Sequence, residues 1–221
     1  SFKSLAKNKI MKILEQITTF LIKKNIEVES SFDEPIEKRK FDKLFNTFYK
    51  NIHSSIKEHY TQESNGFNLH WETDNDCGDI EFDSVNDIKE SYEEFQNHVQ
   101  FIINEVLDNC IEKPYKNKAI KIVGQMKNWS PLKYEGNGDS IVLELNTGKV
   151  LYNSHDWYDG FGTLKTTNGH LVAESLNDYI SKWGNYCFID PEVFMDDQIF
   201  DDQKIEFNDK NYNNEYKIEN S

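Results

Sequence analysis

The sequence predicts an α+β fold with a largely antiparallel, twisted sheet flanked by helices. Some segments repeat apolar residues every three or four positions, which indicates amphipathic helices. Others alternate apolar with polar residues, which indicates half-buried strands. Runs of strands are punctuated by helices, an order typical of the α+β class. Hydrophobic residues make up only 37% of the 221 residues but 14% are aromatic, so we expect an aromatic core under a polar surface.

Two amphipathic helices are predicted near the N-terminus. The first ends near Asn25, and its apolar positions are Ile10, Ile13, Leu14, Ile17, Phe20 and Leu21. Asp33 is the expected cap of the second helix, and Pro35 is its expected first-turn proline. The apolar stripe of the second helix comprises Phe41, Leu44, Phe45, Phe48, Tyr49, Ile52 and Ile56.

A hairpin and a long helix are predicted next. After the turn signal Asn65-Gly66, the residues Phe67, Leu69 and Trp71 alternate with polar ones, and a partner strand carries Ile80 and Phe82. Ser84 is the expected N-cap of a long helix that closes before Pro114. The stripe of this helix comprises Ile88, Tyr92, Phe95, Val99, Ile102, Val106 and Cys110.

The second half of the chain predicts further strands and one helix. The strands are expected around residues 119–123, 141–145, 150–152 and 170–173, and Asn146-Thr147-Gly148 is expected to join the middle two as a hairpin. Ser175 is the expected cap of a short helix, which Gly184 ends.

Charge and cysteine content limit the function classes. The net charge of −14 argues against binding to nucleic acid or to an anionic membrane surface and favours cationic partners. Half of this charge lies in residues 190–221. Three cysteines, Cys77, Cys110 and Cys187, form no CxxC pair, which predicts neither a disulfide framework nor a zinc site. With no signal peptide and no membrane-spanning apolar run, we expect a cytoplasmic protein.

The segment 154–160 is the richest cluster of reactive side chains. His155 and Asp159 could be metal ligands or an acid–base pair, but a strand end followed by a turn is the favoured interpretation. Residues 135–139 favour a tight turn over a phosphate loop, because Glu135 and Asp139 would repel a phosphate. Asp74, Asp76 and Asp79 fail the calcium-loop pattern and favour an acidic hairpin turn. We therefore expect no enzyme activity, cofactor or metal.

The order of these motifs resembles the SUKH superfamily, the Smi/Knr-like immunity and regulator proteins. The resemblance runs from about residue 33 to residue 184. Its motifs are Phe45-Asn46-Thr47-Phe48-Tyr49, Asn65-Gly66, the strand 67–71, Gly78-Asp79-Ile80, Trp129 with Pro131, Gly138-Asp139, the strand 141–145, Gly148-Lys149-Val150, His155-Asp156 and the segment 171–180. Three departures stand out: residues 88–118 look like an enlargement, the acidic tail lies outside the pattern, and the Leu-Pro common before the aromatic helix is missing.

The resemblance implies a domain organisation and a binding function. It divides the chain into an N-terminal helix and connector (1–32), a SUKH-like domain (33–189) and an acidic C-terminal extension (190–221). Bacterial members are largely immunity proteins that neutralise polymorphic toxins in the cytoplasm, and fungal members are regulatory scaffolds of cell-wall synthesis. We therefore expect a protein that binds a cognate, cationic toxin, such as a nuclease-type domain. Its oligomeric state stays open.

Composition suggests which residues contact the partner. Acidic positions would meet a cationic toxin, and aromatic ones would anchor it. The expected partner-binding residues are Asp156, Trp157, Tyr158, Asp159, Asp196, Asp197, Asp201 and Asp202. Two alternatives stay open: a regulatory module that binds several partners weakly, and an enzyme that uses the His155 loop. A dry pocket in which His155 and a carboxylate converge would favour the enzyme.

Overall fold

The structure is a computed structural model that describes residues 9–107, 111, 113–134, 139–155, 168–189 and 216–218. Within them the α-helices are α1 (Lys9–Lys23), α2 (Lys38–Phe45), α3 (Ser54–Glu58), α4 (Val85–Phe101), α5 (Lys113–Met126) and α6 (Leu176–Gly184). Short π-helical segments, His59–Glu63 and Ile102–Val106, continue α3 and α4. The strands are β1 (Val28–Asp33), β2 (Gly66–Glu72), β3 (Cys77–Phe82), β4 (Trp129–Tyr134), β5 (Ser140–Glu144), β6 (Val150–Asn153) and β7 (His170–Ala173). The predicted α+β class with antiparallel pairing is confirmed, although the strands form two sheets.

Sheet 1 consists of β1, β2 and β3 in that order, all antiparallel. The predicted hairpin is confirmed as β2 and β3, whose alternate side chains, including Phe67, Leu69 and Trp71, are buried. Strand β1 was not predicted, because its middle residues are serines and only Val28 and Phe32 repeat the apolar alternation. The far edge of β3 pairs in part with the chain after α6: Gly78 forms a bridge with Ile189.

Three expectations about the second helix are wrong. Asp33 does not cap it, since Asp33 ends β1 opposite Gly66 and α2 begins only after Glu37. Pro35 therefore precedes the helix. The apolar stripe does not lie on one helix either, because α2 ends at Phe45 and α3 starts at Ser54. Asn51 in between takes a left-handed backbone (φ 66°), and the His53 N–H donates to the Leu145 carbonyl at 2.8 Å. At His53, a long-range hydrogen bond thus replaces the intrahelical hydrogen bond that one continuous helix would form.

The strand expected at 119–123 is also wrong, since these residues lie in α5. The side chains of Ala119, Ile122, Val123 and Met126 are buried, which is helical spacing. Exposed Ile120 interrupts that pattern and makes the segment look like a strand. Strand β4 follows α5 and was not predicted, although Trp129 and Pro131 were noted among the SUKH-like motifs. It tolerates Pro131 because it is an edge strand with a register shift between Pro131 and Lys133.

Sheet 2, in the order β4-β5-β6-β7, is buried on both faces. Ile141 and Leu143 of β5 belong to the core shared with α1, α6 and sheet 1, whereas Val142 belongs to a second core under α4 and α5. The expected hairpin between β5 and β6 is confirmed, with Gly148 in its turn at φ 76°. Sheet 2 is therefore the layer between two hydrophobic cores.

Two of the three predicted N-caps, Ser84 and Ser175, are confirmed. The side chains and backbone of Ser84 and Asp87 form a capping box at the start of α4. The Ser175 hydroxyl accepts a hydrogen bond from the Asp178 N–H at the start of α6. In the described ranges, none of the helices has the length and apolar content needed to cross a membrane.

Candidate functional site

The structure brings together Asp139, Tyr152 and His155, which the sequence places in two separate motifs. Asp139 directly precedes β5, Tyr152 lies in β6, and His155 follows the end of β6. The antiparallel register pairs Ser140 with Asn153, so the chain just before β5 lies beside the chain just after β6. Strand pairing therefore builds this cluster.

Asp139 accepts hydrogen bonds from both neighbours. Its Oδ1 accepts from the His155 backbone N–H and from the ring Nδ1, each at 2.8 Å, and its Oδ2 accepts from the Tyr152 hydroxyl. The Asp139 side chain is 8% exposed and that of His155 is 54% exposed. Because an ionised carboxylate can only accept, the imidazole donates from Nδ1 to it, and Nε2 is the acceptor nitrogen of the neutral ring.

This arrangement permits two roles. It closes the open end of the β5–β6 hairpin and fixes the backbone at His155, directly before Asp156. A carboxylate that orients a half-exposed imidazole is also an arrangement used in general-base catalysis, provided that a substrate or nucleophile lies within reach of Nε2. Among the described residues, the hydrogen bonds of the His155 ring go to Asp139 alone. The convergence of His155 with a carboxylate, which the enzyme alternative expects, is present.

Polar side chains continue from this cluster towards β7. The Asn153 Nδ2 donates to the Ser140 hydroxyl at 3.0 Å, and the Ser154 N–H donates to the Asn168 Oδ1 at 2.5 Å. A cleft of about 240 Å³ lies beside Asn168, between α5 and the start of β7, and His155 does not line it. Its lining residues are Lys118, Lys121, Ile122, Gln125, Asn168, Gly169 and His170.

The expected partner-binding residues cannot be placed by this structure. Asp156, Trp157, Tyr158, Asp159, Asp196, Asp197, Asp201 and Asp202 all lie outside the described residues. They stay a prediction.

The other candidate sites have simple structural explanations. The interpretation of Asp74, Asp76 and Asp79 as part of an acidic hairpin turn is confirmed, because they connect or lie on β2 and β3. Among the described residues, no three His, Cys, Asp or Glu side chains lie together as a metal site. Burial raises the pKa of the Cys187 thiol to about 12, so it stays protonated at neutral pH, while Cys77 is exposed. Cys110 lies outside the described residues.

Sequence reasoning missed the role of His59, which lies in a π-helical turn after α3. Its ring is fully buried, and its Nδ1 lies 2.7 Å from the Asn177 Oδ1 of α6. Burial lowers the pKa of His59 to about 4, more than the Asn177 hydrogen bond raises it. Nothing in the sequence marks this histidine, since its partner lies 118 residues away.

One whole face of sheet 1 is exposed and acidic. Register places Glu29 beside His70 and Asp79, and Ser31 beside Asn68 and Glu81, on the side opposite the core. The acidic face comprises the carboxylates of Glu29, Asp33, Glu72, Asp79 and Glu81, all exposed, and its strands β1–β3 contain no Lys or Arg. His70 is its one basic side chain, with its Nδ1 3.5 Å from the Asp79 Oδ1.

Comparisons of the chain with protein-family models and with curated protein sequences gave no match.

Proposed function

We propose that this chain is a non-enzymatic binding protein, an immunity protein that neutralises a cognate, cationic toxin of a polymorphic toxin system in the cytoplasm. The acidic face of sheet 1 is the observation that carries the proposal. It presents five carboxylates on paired, antiparallel strands. Because these strands are already ordered, binding through the carboxylates does not require the chain to fold first. The order of SUKH-like motifs supports the same class of function.

Charge explains how such a protein would act. A nuclease-type toxin needs a basic surface to hold its nucleic acid, and an anionic inhibitor competes for that surface. The net charge of −14 also attracts a basic partner over long range and raises the rate of encounter. Residues 156–159, which follow the hydrogen-bonded His155 in the sequence, are a second contact region of the proposal.

Co-expression with the toxin encoded beside the gene tests this function. The chain should restore growth and co-purify with the toxin, and failure of both would refute the proposal. The association rate should fall steeply with added salt, because exposed charges are screened. A rate insensitive to salt would remove the charge argument.

A matched pair of variants tests the acidic face. Replacing Glu72, Asp79 and Glu81 by Lys should weaken toxin binding strongly. The control replaces Glu90, Glu93 and Glu94 of α4, also exposed, by Lys and changes the net charge equally. Equal weakening in both variants would mean that only net charge matters.

The hydrogen bond between Asp139 and His155 favours an acid–base role for His155 as a second candidate function. The ratio of this protein to toxin that is needed for protection distinguishes a binding protein from an enzyme. An immunity protein protects only when it equals or exceeds the toxin, and His155→Gln should protect as well as the parent. An enzyme would protect at a small fraction of the toxin concentration, and His155→Gln would abolish that protection.

A further inference from the structure

The two edges of sheet 1 differ. At the β3 edge, Gly78 pairs with Ile189 and the Asp79 N–H donates to the Phe188 carbonyl at 3.0 Å. Strand β1, at the other edge, pairs with β2 alone in the part of the chain that the structure describes. An uncovered edge strand offers its outward backbone groups to another strand.

A groove of about 410 Å³ runs beside this open edge, between β1 and α1. Its lining residues are Met11, Leu14, Glu15, Thr18, Thr19, Ser30, Ser31 and Phe32. Leu14 and Phe32 contribute apolar surface, and the threonines and serines contribute hydroxyls. Ile22 follows Thr18 by four residues, so it lies on the groove side of α1, and it is 59% exposed. The groove therefore combines an apolar wall with the outer edge of β1, a strand whose Ser31 N–H donates to the Asn68 Oδ1 at 2.9 Å.

The charge around the edge decides which occupant fits. Residues 26–36 contain the carboxylates of Glu27, Glu29, Asp33 and Glu34 and no Lys or Arg, whereas Glu37 lies 3.9 Å from the Lys40 ammonium. A second copy of this chain pairing through its own β1 would bring the same carboxylates into contact. A basic segment would neutralise them instead.

We propose that an extended, basic segment of the partner pairs with β1 as a fourth strand of sheet 1. Side chains alternate along a strand. Every second residue of the segment would lie on the acidic face beside Glu29 and Asp33, and the others would lie in the groove against Leu14 and Phe32. The bound segment thus alternates basic with apolar residues. The identity of the partner rests on the proposed function, but the docking edge does not.

A blocked peptide of about ten residues that alternates Lys with Val is the probe, since this length covers one strand. Two matched peptides accompany it: one is N-methylated at alternate residues and cannot pair, and one carries Glu in place of Lys. Hydrogen exchange on the full chain should show protection of β1 with the first peptide. The N-methylated and the Glu peptides should each bind about tenfold more weakly or worse.

Charge-reversal variants of exposed residues in the protein provide a second test, with a matched control on α4. Glu29→Lys with Asp33→Lys should weaken binding of the Lys–Val peptide about tenfold, and Glu90→Lys with Glu93→Lys on α4 should change it little. Equal binding of the N-methylated peptide, protection away from β1, or equal weakening by the control pair would overturn the proposal. Concentration-dependent dimers that protect β1 without peptide would also overturn it, since a second copy would then be the occupant.

The toxin assay separates this inference from the proposed function. If the Glu29 and Asp33 variant loses peptide binding yet still neutralises and binds the toxin normally, the toxin does not dock at β1 and the inference fails. If the peptide binds β1 as expected while the neighbouring toxin is neither bound nor neutralised, the docking edge is supported and the immunity function fails.

Discussion

Sheet 1 keeps one face in solvent, whereas sheet 2 is buried on both faces. In sheet 1 every second residue of β2 and β3 is exposed, and the exposed positions include Glu72, Asp79 and Glu81. In sheet 2 the consecutive residues Ile141, Val142 and Leu143 are all fully buried. The difference indicates that sheet 2 stabilises the fold between two cores, whereas sheet 1 has surface available for binding.

An aspartate substituted into each sheet should give the largest expected difference in the free energy of unfolding. Val142→Asp buries an unpaired carboxylate between β5 and α5, and we expect it to lower the free energy of unfolding by more than about 4 kcal/mol. Asn68→Asp on the exposed face of β2 is the control, with an expected loss under about 1 kcal/mol because Glu81 lies opposite. Urea unfolding measures both. Similar losses would mean that the sheets are equally tolerant.

A pH titration tests the core side of sheet 1, where His59 contacts the Phe82 ring of β3. Folding lowers the pKa of His59 from 6.5 to about 4, so the unfolded chain binds this proton more readily. Its contribution to stability is therefore complete above pH 6.5 and is lost as the pH falls from 6.5 to 4, by about 3 kcal/mol in all.

His59→Gln isolates this contribution, because glutamine keeps a polar group beside Asn177 and does not titrate. Over pH 6.5 to 4, the unfolding free energy of this variant should fall less steeply than that of the parent. Identical slopes in urea titrations at each pH would show that His59 does not titrate differently on folding.

Removing the Asp139 carboxylate tests how much it stabilises the end of the β5–β6 hairpin that lies opposite the turn. Asp139→Ala leaves the Tyr152 hydroxyl and the His155 N–H without this acceptor, and we expect a loss of about 1–3 kcal/mol. Asp139→Asn keeps an acceptor oxygen and should recover part of that loss. Hydrogen exchange at His155 should rise in the Ala variant, and unchanged exchange would contradict the role assigned to Asp139.

Elements of the fold that are encoded by residues close in sequence could be predicted, and elements that depend on distant partners could not. The β2–β3 hairpin and the Ser84 N-cap are encoded by residues close in sequence, and both were predicted. Strand β1 and the start of α3 depend on distant partners, β2 and Leu145, which a local pattern does not contain. Helix α5 was read as a strand because β-branched residues and the exposed Ile120 obscure its period.

The candidate site was predictable only in part. His155 stood out by its neighbours, but Asp139 was read as a turn residue, and only the register of β5 with β6 joins the two. That register could have been extended from the hairpin turn at Gly148. The acidic face follows from the alternation in β2 and β3, although its β1 row needed the unpredicted strand. His59 and the groove beside α1 depend on tertiary packing alone.

The pairing of Gly78 with Ile189 limits how sheet 1 can grow. A sheet with two open edges can add strands from chain after chain and polymerise. Here the β3 edge is partly occupied by the molecule's own backbone, so growth of sheet 1 by strand addition is favoured at the β1 side. A strand added there would form the new edge of the sheet, and β1 would become an inner strand.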